Sequence, residues 1–127
     1  MNLAFLHVYS DLALLALRLI IGAIFLVHGY KKTAMWKMTP SAQMPSGMLN
    51  LMRFLSIAEI AGGLGVIFGV LTGWAALGLI CIMLGAMYKK IFTWKKPFTA
   101  DAGWELDLII FGACLVLVIL GAGTIIL

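Results

Sequence analysis

Long runs of apolar residues, separated by short polar segments, make up most of the sequence. The runs cover about residues 12–30, 51–71, 74–92 and 105–127. A helix needs about 20 residues to cross the hydrocarbon core of a bilayer, and each run is close to that length. The third run is continuously apolar only from about residue 74 to 88, which is too short for a crossing, and we extend it to residue 92 for this reason. The pattern predicts an all-α, polytopic membrane protein, a four-transmembrane-helix bundle that forms one domain over residues 1–127.

The segments between the runs differ in length. The second and third runs are joined through LTGW, which is short enough to predict a tight hairpin. The first and second runs are separated by residues 31–50, where Pro40, Pro45 and Gly47 argue against one straight helix. We therefore expect one substantial loop in the first half of the chain.

Composition and charge agree with a membrane protein. Of the 127 residues, 64% are hydrophobic and 11% are charged, against roughly 25% charged residues in an ordinary soluble domain. Eight of the nine Lys and Arg residues fall in and beside the two loops that share one side of a four-crossing chain: Lys31, Lys32, Lys37, Arg53, Lys89, Lys90, Lys95 and Lys96. The positive-inside rule places these loops in the cytoplasm and both termini outside. The net charge of +4 then indicates attraction to anionic lipid, and no nucleic-acid partner is expected.

Small residues recur along the second predicted helix. They are Ala58, Gly62, Gly63, Gly65 and Gly69. The spacing of four, three and four from Ala58 through Gly62 and Gly65 to Gly69 places these residues on one face, which predicts close packing against a neighbouring helix. Gly22 on the first helix predicts a further contact, and Gly78 and Gly85 on the third predict a weaker one.

Two charged residues lie deep within the apolar runs. A charged side chain at the centre of a membrane helix costs about 2.5 to 3.5 kcal/mol on insertion scales, so Arg18 and Glu59 should not face lipid alone. Counted along the predicted helices, Arg18 lies about 20 Å and Glu59 about 12 Å above the cytoplasmic edge of the core. Because extended side chains can bridge the difference, we predict an intramembrane ion pair between Arg18 and Glu59.

A second polar group is expected near the cytoplasmic boundary. His28 ends the first helix there, and Glu105 and Asp107 lie in the first turn of the fourth helix. The two acids point about 200° apart, so only one of them can face a given partner. One interpretation makes both acids helix-start residues and His28 an interfacial residue. The other is a functional polar cluster that lines a pocket, formed by Arg18, His28, Glu59 and Glu105.

Cysteine and histidine give no sign of a bound metal or redox group. Cys81 and Cys114 lie singly in apolar runs, and no spacing predicts a metal site. We interpret both as packing residues. His7 and His28 are expected at opposite membrane faces, so they cannot share a haem.

Three segments together resemble the DoxX family of small four-helix bacterial membrane proteins. The family pattern has Arg followed by His-Gly on helix one, Ala-Glu-x-x-Gly-Gly on helix two, and Gly-aromatic-Glu at the start of helix four. The corresponding segments here are LRLIIGAIFLVHGYKK, AEIAGGLGVIFGVLTGWAA and GWELDLIIFGACLVLVILGAG, in the same order. Many members end in a Gly-Pro-Gly-Arg-like tail, whereas this chain has GAGTIIL. The resemblance implies a multi-pass protein of the bacterial cytoplasmic membrane.

The resemblance also implies an association with membrane redox systems. We expect an accessory subunit that binds a quinone or another small ligand at the polar cluster. It holds no cofactor by itself, is not catalytic alone, and works with a redox partner subunit or as a homo-oligomer. One alternative is an assembly or anchoring protein whose buried charges only specify helix packing. A second is a small transporter or proton path, which needs an oligomer.

Overall fold

Four α-helices form the protein in a computed structural model that describes residues 3–99 and 101–127. The helices are α1 (Ser10–Lys32), α2 (Ser46–Phe68), α3 (Thr72–Tyr88) and α4 (Glu105–Leu120). The 3₁₀ segments Ala4–Tyr9 and Thr33–Lys37 extend α1 at both ends, and a π-helical turn, Lys89–Thr93, extends α3. The described residues contain no strand, so the prediction of an all-α fold is confirmed.

Three helical stretches are long and apolar enough to cross a membrane within the described part of the chain. They are Ala4–Lys37, Ser46–Phe68 and Thr72–Thr93. The third stretch includes the π-helical turn. The fourth helix, α4, has 16 residues and a length of about 24 Å, and it completes the bundle beside α3.

Neighbouring helices run antiparallel, which gives the bundle two distinct ends. The basic end holds the C-termini of α1 and α3, the N-termini of α2 and α4, and the lysine-rich loops. The opposite end holds the N-terminus of α1, the α2–α3 turn and residues 121–127. Helix α1 packs mainly on α2 and helix α4 mainly on α3, whereas α1 and α4 approach each other much less. The line where α1 and α4 meet is called the α1–α4 seam below.

The interior and the exterior of the bundle are both apolar. One cluster of buried side chains combines residues of all four helices, including Phe25, Val66, Leu79 and Leu117. Large apolar side chains also cover the outer surface, among them Ile109, which is 68% exposed. Burying these outer groups in lipid is favourable, so this surface is the one that a membrane environment requires.

Two helix boundaries differ from those expected. Helix α2 begins at Ser46 and not near residue 51, because Pro45 has an extended backbone (ψ 159°) and its carbonyl accepts a bond from Leu49 N–H. Proline is well tolerated immediately before and at the start of a helix, so Pro45 begins α2 rather than interrupting it. Helix α4 ends at Leu120 and not near residue 127, because Gly121 has φ 76° and ψ −163°, a conformation that is essentially confined to glycine.

Glycines bring α1 and α2 into backbone contact. A Cβ atom on Gly22 would lie 2.9 Å from the Gly63 carbonyl oxygen, so no larger residue fits there. On the side of α2 that faces α3, a Cβ on Gly62 would lie 2.7 Å from the Leu79 side chain. The predicted small-residue contact on α3 is wrong for Gly78 and Gly85, since a Cβ on either would meet nothing within 4 Å.

Candidate functional site

Arg18 is fully buried and caps the end of a neighbouring helix. Its Nε donates to the carbonyl of Val66 and its Nη2 to the carbonyl of Ile67, both at 2.9 Å. These carbonyls belong to the last turn of α2, where intrahelical donors are lacking and the helix dipole is negative. The Arg18 guanidinium, which belongs to α1, therefore supplies the missing donors and a favourable positive charge at the C-terminal end of α2.

The same side chain also holds residues 121–127, which we call the strap. Arg18 Nη1 donates to the carbonyl of Ala122 at 2.9 Å and to the carbonyl of Ile125. The Asp11 carboxylate accepts two hydrogen bonds from Thr124, one from the backbone N–H at 3.2 Å and one from the side-chain hydroxyl at 2.7 Å. A further bond joins Leu127 N–H to the Phe68 carbonyl.

Glycines allow the close approaches around these two polar side chains. Gly69 has φ 78° and ends α2, and a Cβ there would lie 2.7 Å from Arg18 Nη2. Gly123 has φ 77°, and a Cβ there would lie 2.9 Å from an Asp11 carboxylate oxygen. A side chain at either position would displace the group that it approaches.

The predicted ion pair between Arg18 and Glu59 is wrong. Glu59 is 1% exposed and pairs instead with Lys32, whose Nζ lies 2.6 Å from Glu59 Oε1. Arg18 donates instead to the carbonyl of Val66, which lies about 10 Å farther along α2 than Glu59. Lys32 was interpreted only as a topology signal, but its long side chain reaches back from the helix end into the bundle.

The first turn of α4 contains one buried acid and one exposed acid. Asp107 is buried and its Oδ2 lies 2.8 Å from Lys90 Nζ, whereas Glu105 is exposed. The expectation that the acids point apart is confirmed, but the choice of Glu105 for an interior cluster is wrong. Asp107 shares a spacing of three, four and three with Ile110, Cys114 and Leu117, which are all buried. That stripe was the signal that identifies the inward-facing acid.

A network at the basic end fixes the segment after α1. Arg53 donates to the carbonyls of Met35 at 3.0 Å and Met38 at 2.7 Å, and its guanidinium lies over the Trp36 ring. Trp36 Nε1 in turn donates to the Ser56 hydroxyl at 2.9 Å. This arginine resembles Arg18 in binding main-chain carbonyls, but it lies at the protein surface.

His28 and Glu105 lie on the outer surface, and Leu106 lines the groove beside each of them. A groove of about 310 Å³ on the α1–α4 seam is lined by Ala23, Ile24, Val27, His28 and Leu106. A second groove, of about 550 Å³, is lined by Phe98, Glu105, Leu106, Leu108 and Ile109. Leu106 lines both grooves, so the structure places a base and an acid in adjoining, mostly apolar grooves.

The four members of the predicted cluster therefore do not line one pocket. Arg18 lies ten residues before His28 on α1, about 15 Å away along the helix, and all of its recorded partners are carbonyls. Glu59 is buried and pairs with Lys32, which is partly exposed. Of the four, His28 and Glu105 are the exposed residues.

Comparison with known families identifies the chain. The family model for DoxX matches residues 13–94. The chain belongs to the DoxX family. This confirms the resemblance to the family, and the matched range contains the first two of the three motifs, on helices one and two. With the apolar helices, it makes the chain an integral membrane protein. No curated protein and no solved structure matches the chain.

The DoxX match and the polar residues overlap only in part. The match includes Arg18, His28, Lys32 and Glu59, and it ends before α4 begins. In this DoxX protein, then, the matched range covers α1–α3, whereas the motif at the start of α4, the second groove and the strap draw on residues beyond it. The α1–α4 seam joins the two parts.

Proposed function

We propose that this DoxX protein is a membrane subunit that binds a quinone-like ligand at the α1–α4 seam and serves a redox system. The observation that supports this proposal is the pair of adjoining grooves around Leu106, with His28 on one side and Glu105 on the other. Small-molecule sites are typically apolar clefts with a few polar groups that orient the ligand. A quinone has this character, with a polar headgroup and an apolar tail.

The two polar side chains have complementary roles toward such a headgroup. A neutral imidazole carries one N–H donor, which suits a quinone carbonyl, and a carboxylate is an acceptor for a quinol hydroxyl. The exposed apolar side chains beside the grooves, such as Val27 and Ile109, provide a surface for the tail within the lipid. The chain binds and orients the headgroup in this proposal, and a partner subunit exchanges the electrons.

Binding of a short-tailed benzoquinone to the protein in lipid nanodiscs tests the proposal. We expect saturable quenching of tryptophan fluorescence. His28→Ala should weaken binding about tenfold, which corresponds to about 1.4 kcal/mol, the scale of one lost hydrogen bond. Leu106→Trp should also weaken binding, because the larger ring occupies space where the two grooves meet.

His7→Ala is the matched control, because His7 is also exposed but lies in the segment that precedes α1, at the opposite end of the bundle. Its affinity should equal that of the unmodified protein. Absence of saturable binding, or equal affinities for the His28→Ala, Leu106→Trp and His7→Ala proteins, would refute the ligand site.

A second candidate function is assembly or anchoring within a membrane complex or homo-oligomer. The observation that favours it is that Arg18, Glu59 and Asp107, the most deeply buried charged residues described, each have partners within the chain. Charges used in this way specify helix packing. Under this alternative, a defined subunit or a second copy co-purifies in mild detergent while benzoquinone binding is absent.

The proposed location is the bacterial cytoplasmic membrane with the basic end in the cytoplasm. The basic residues at that end support this orientation through the positive-inside rule. Single cysteines at Lys95 and Thr124, in a chain without Cys81 and Cys114, test it with a membrane-impermeant maleimide. In intact cells only the cysteine at position 124 should react, and the reverse result would invert the topology.

A further inference from the structure

The strap is fastened by hydrogen bonds more than by apolar packing. Ile126 is 65% exposed and Leu127 is 58% exposed, so the apolar side chains at its end are not buried in the bundle. Its recorded side-chain partners are Arg18 and Asp11, both on α1. A segment that extends from α4 is therefore bound to α1, across the seam.

The seam is fastened unequally along its length. The strap bonds lie at the end opposite the lysine-rich loops, and Asp11 is 17 residues before His28, about 25 Å away along α1. Near His28 the helices leave the groove of about 310 Å³. Helix α1 packs mainly on α2, and α4 packs mainly on α3. Among the described residues, the strap supplies hydrogen bonds that join the end of α4 to the α1–α2 pair.

We propose that the strap holds the α1–α4 seam closed and thereby sets how far the groove beside His28 opens to lipid. A ligand that enters from the membrane separates α1 from α4 at the open end, while Arg18 and Asp11 keep the other end together. The role in ligand entry rests on the proposed function, but the effect of the strap on seam width is a property of the free protein. Helix shifts of 1–2 Å are typical of packed interfaces that move.

Distances between spin labels on Val27 and Ile109 test this inference in nanodiscs without ligand. Both side chains are exposed, and Cys81→Ala and Cys114→Ala are present in every protein compared. Thr124→Val removes the hydroxyl bond to Asp11, and Asp11→Ala removes both strap bonds that Asp11 accepts. We expect the distance distribution to lengthen or broaden by about 1 to 2 Å, with the larger change for Asp11→Ala.

Thr33→Val is the matched control. It also removes a hydroxyl bond, from Thr33 to the Tyr30 carbonyl at the other end of α1, and should leave the distribution unchanged. Thr124→Val retains the four Arg18 bonds and is expected to fold. It therefore tests whether the strap sets the seam width even if the Asp11→Ala protein aggregates. An unchanged distribution for Thr124→Val, in a protein of unchanged helicity, would overturn the role of the strap.

Benzoquinone binding separates this inference from the proposed function. If the strap variants open the seam and also accelerate benzoquinone association, both stand. If they open the seam while no variant binds benzoquinone, the strap is supported and the ligand site fails. If the seam does not open, the strap is refuted whether or not benzoquinone binds.

Discussion

Replacing the fully buried Arg18 by methionine should destabilise the bundle more than the same replacement at Arg53, which is partly exposed. Arg18→Met keeps an apolar stem but leaves the carbonyls of Val66, Ile67, Ala122 and Ile125 without this donor. Hydrogen bonds to charged groups contribute about 1.5 to 3 kcal/mol each. The carbonyls of the strap regain water once it is released, so the sum is not additive, and we expect a loss of about 3 to 5 kcal/mol.

Unfolding by sodium dodecyl sulfate titration from a mild detergent, followed by tryptophan fluorescence, measures this loss. Arg53→Met is the control, since Arg53 also donates to two carbonyls but from a partly exposed position, and should cost less than about 1.5 kcal/mol. Arg18→Lys should fall between them, because an ammonium keeps the charge but lacks the planar fork. The reasoning is refuted if Arg18→Met costs no more than Arg53→Met.

Two further predictions concern the pairing and packing of α1 and α2. In double-mutant cycles of unfolding free energy, Lys32→Met and Glu59→Gln should show a coupling energy of about 0.5 to 3 kcal/mol. The effects of Arg18→Met and Glu59→Gln should add within about 0.5 kcal/mol. Coupling of the second pair alone would support the Arg18–Glu59 ion pair expected from the sequence. Gly22→Ala should lower the SDS midpoint, because its Cβ would lie 2.9 Å from a backbone oxygen of α2, while Gly78→Ala, with nothing within 4 Å, should leave or raise it. Equal midpoints for the two alanine variants would contradict the close contact.

The helices were predictable because lipid imposes a simple length and composition on each crossing. Apolar runs identify membrane helices before any packing is known. Boundaries were less accessible: Pro45 begins a helix where it was expected to lie in a loop, and Gly121 ends one that hydropathy continues to residue 127. Local backbone conformation decides these positions, and hydropathy does not report it.

The partners of the buried charges were harder to predict. Main-chain carbonyls bind Arg18, and any amino acid can supply a carbonyl, so no residue type marks the partner in advance. Asp107 is different, because its spacing from Ile110 and Cys114 marks it as inward-facing. The adjacency of His28 and Glu105 was expected from their similar level in the membrane, and the shared Leu106 agrees with it.

The bonds of Arg18 also impose an order on biosynthesis. Its partners at Val66 and Ile67 become available only after α2 is made, and those at Ala122 and Ile125 only after α4. Until then the first helix enters the bilayer with a charge that lacks these carbonyls, at a cost of about 2.5 to 3.5 kcal/mol on insertion scales. The hydrogen bonds of Arg18 can therefore be complete only after residues 121–127 have been made.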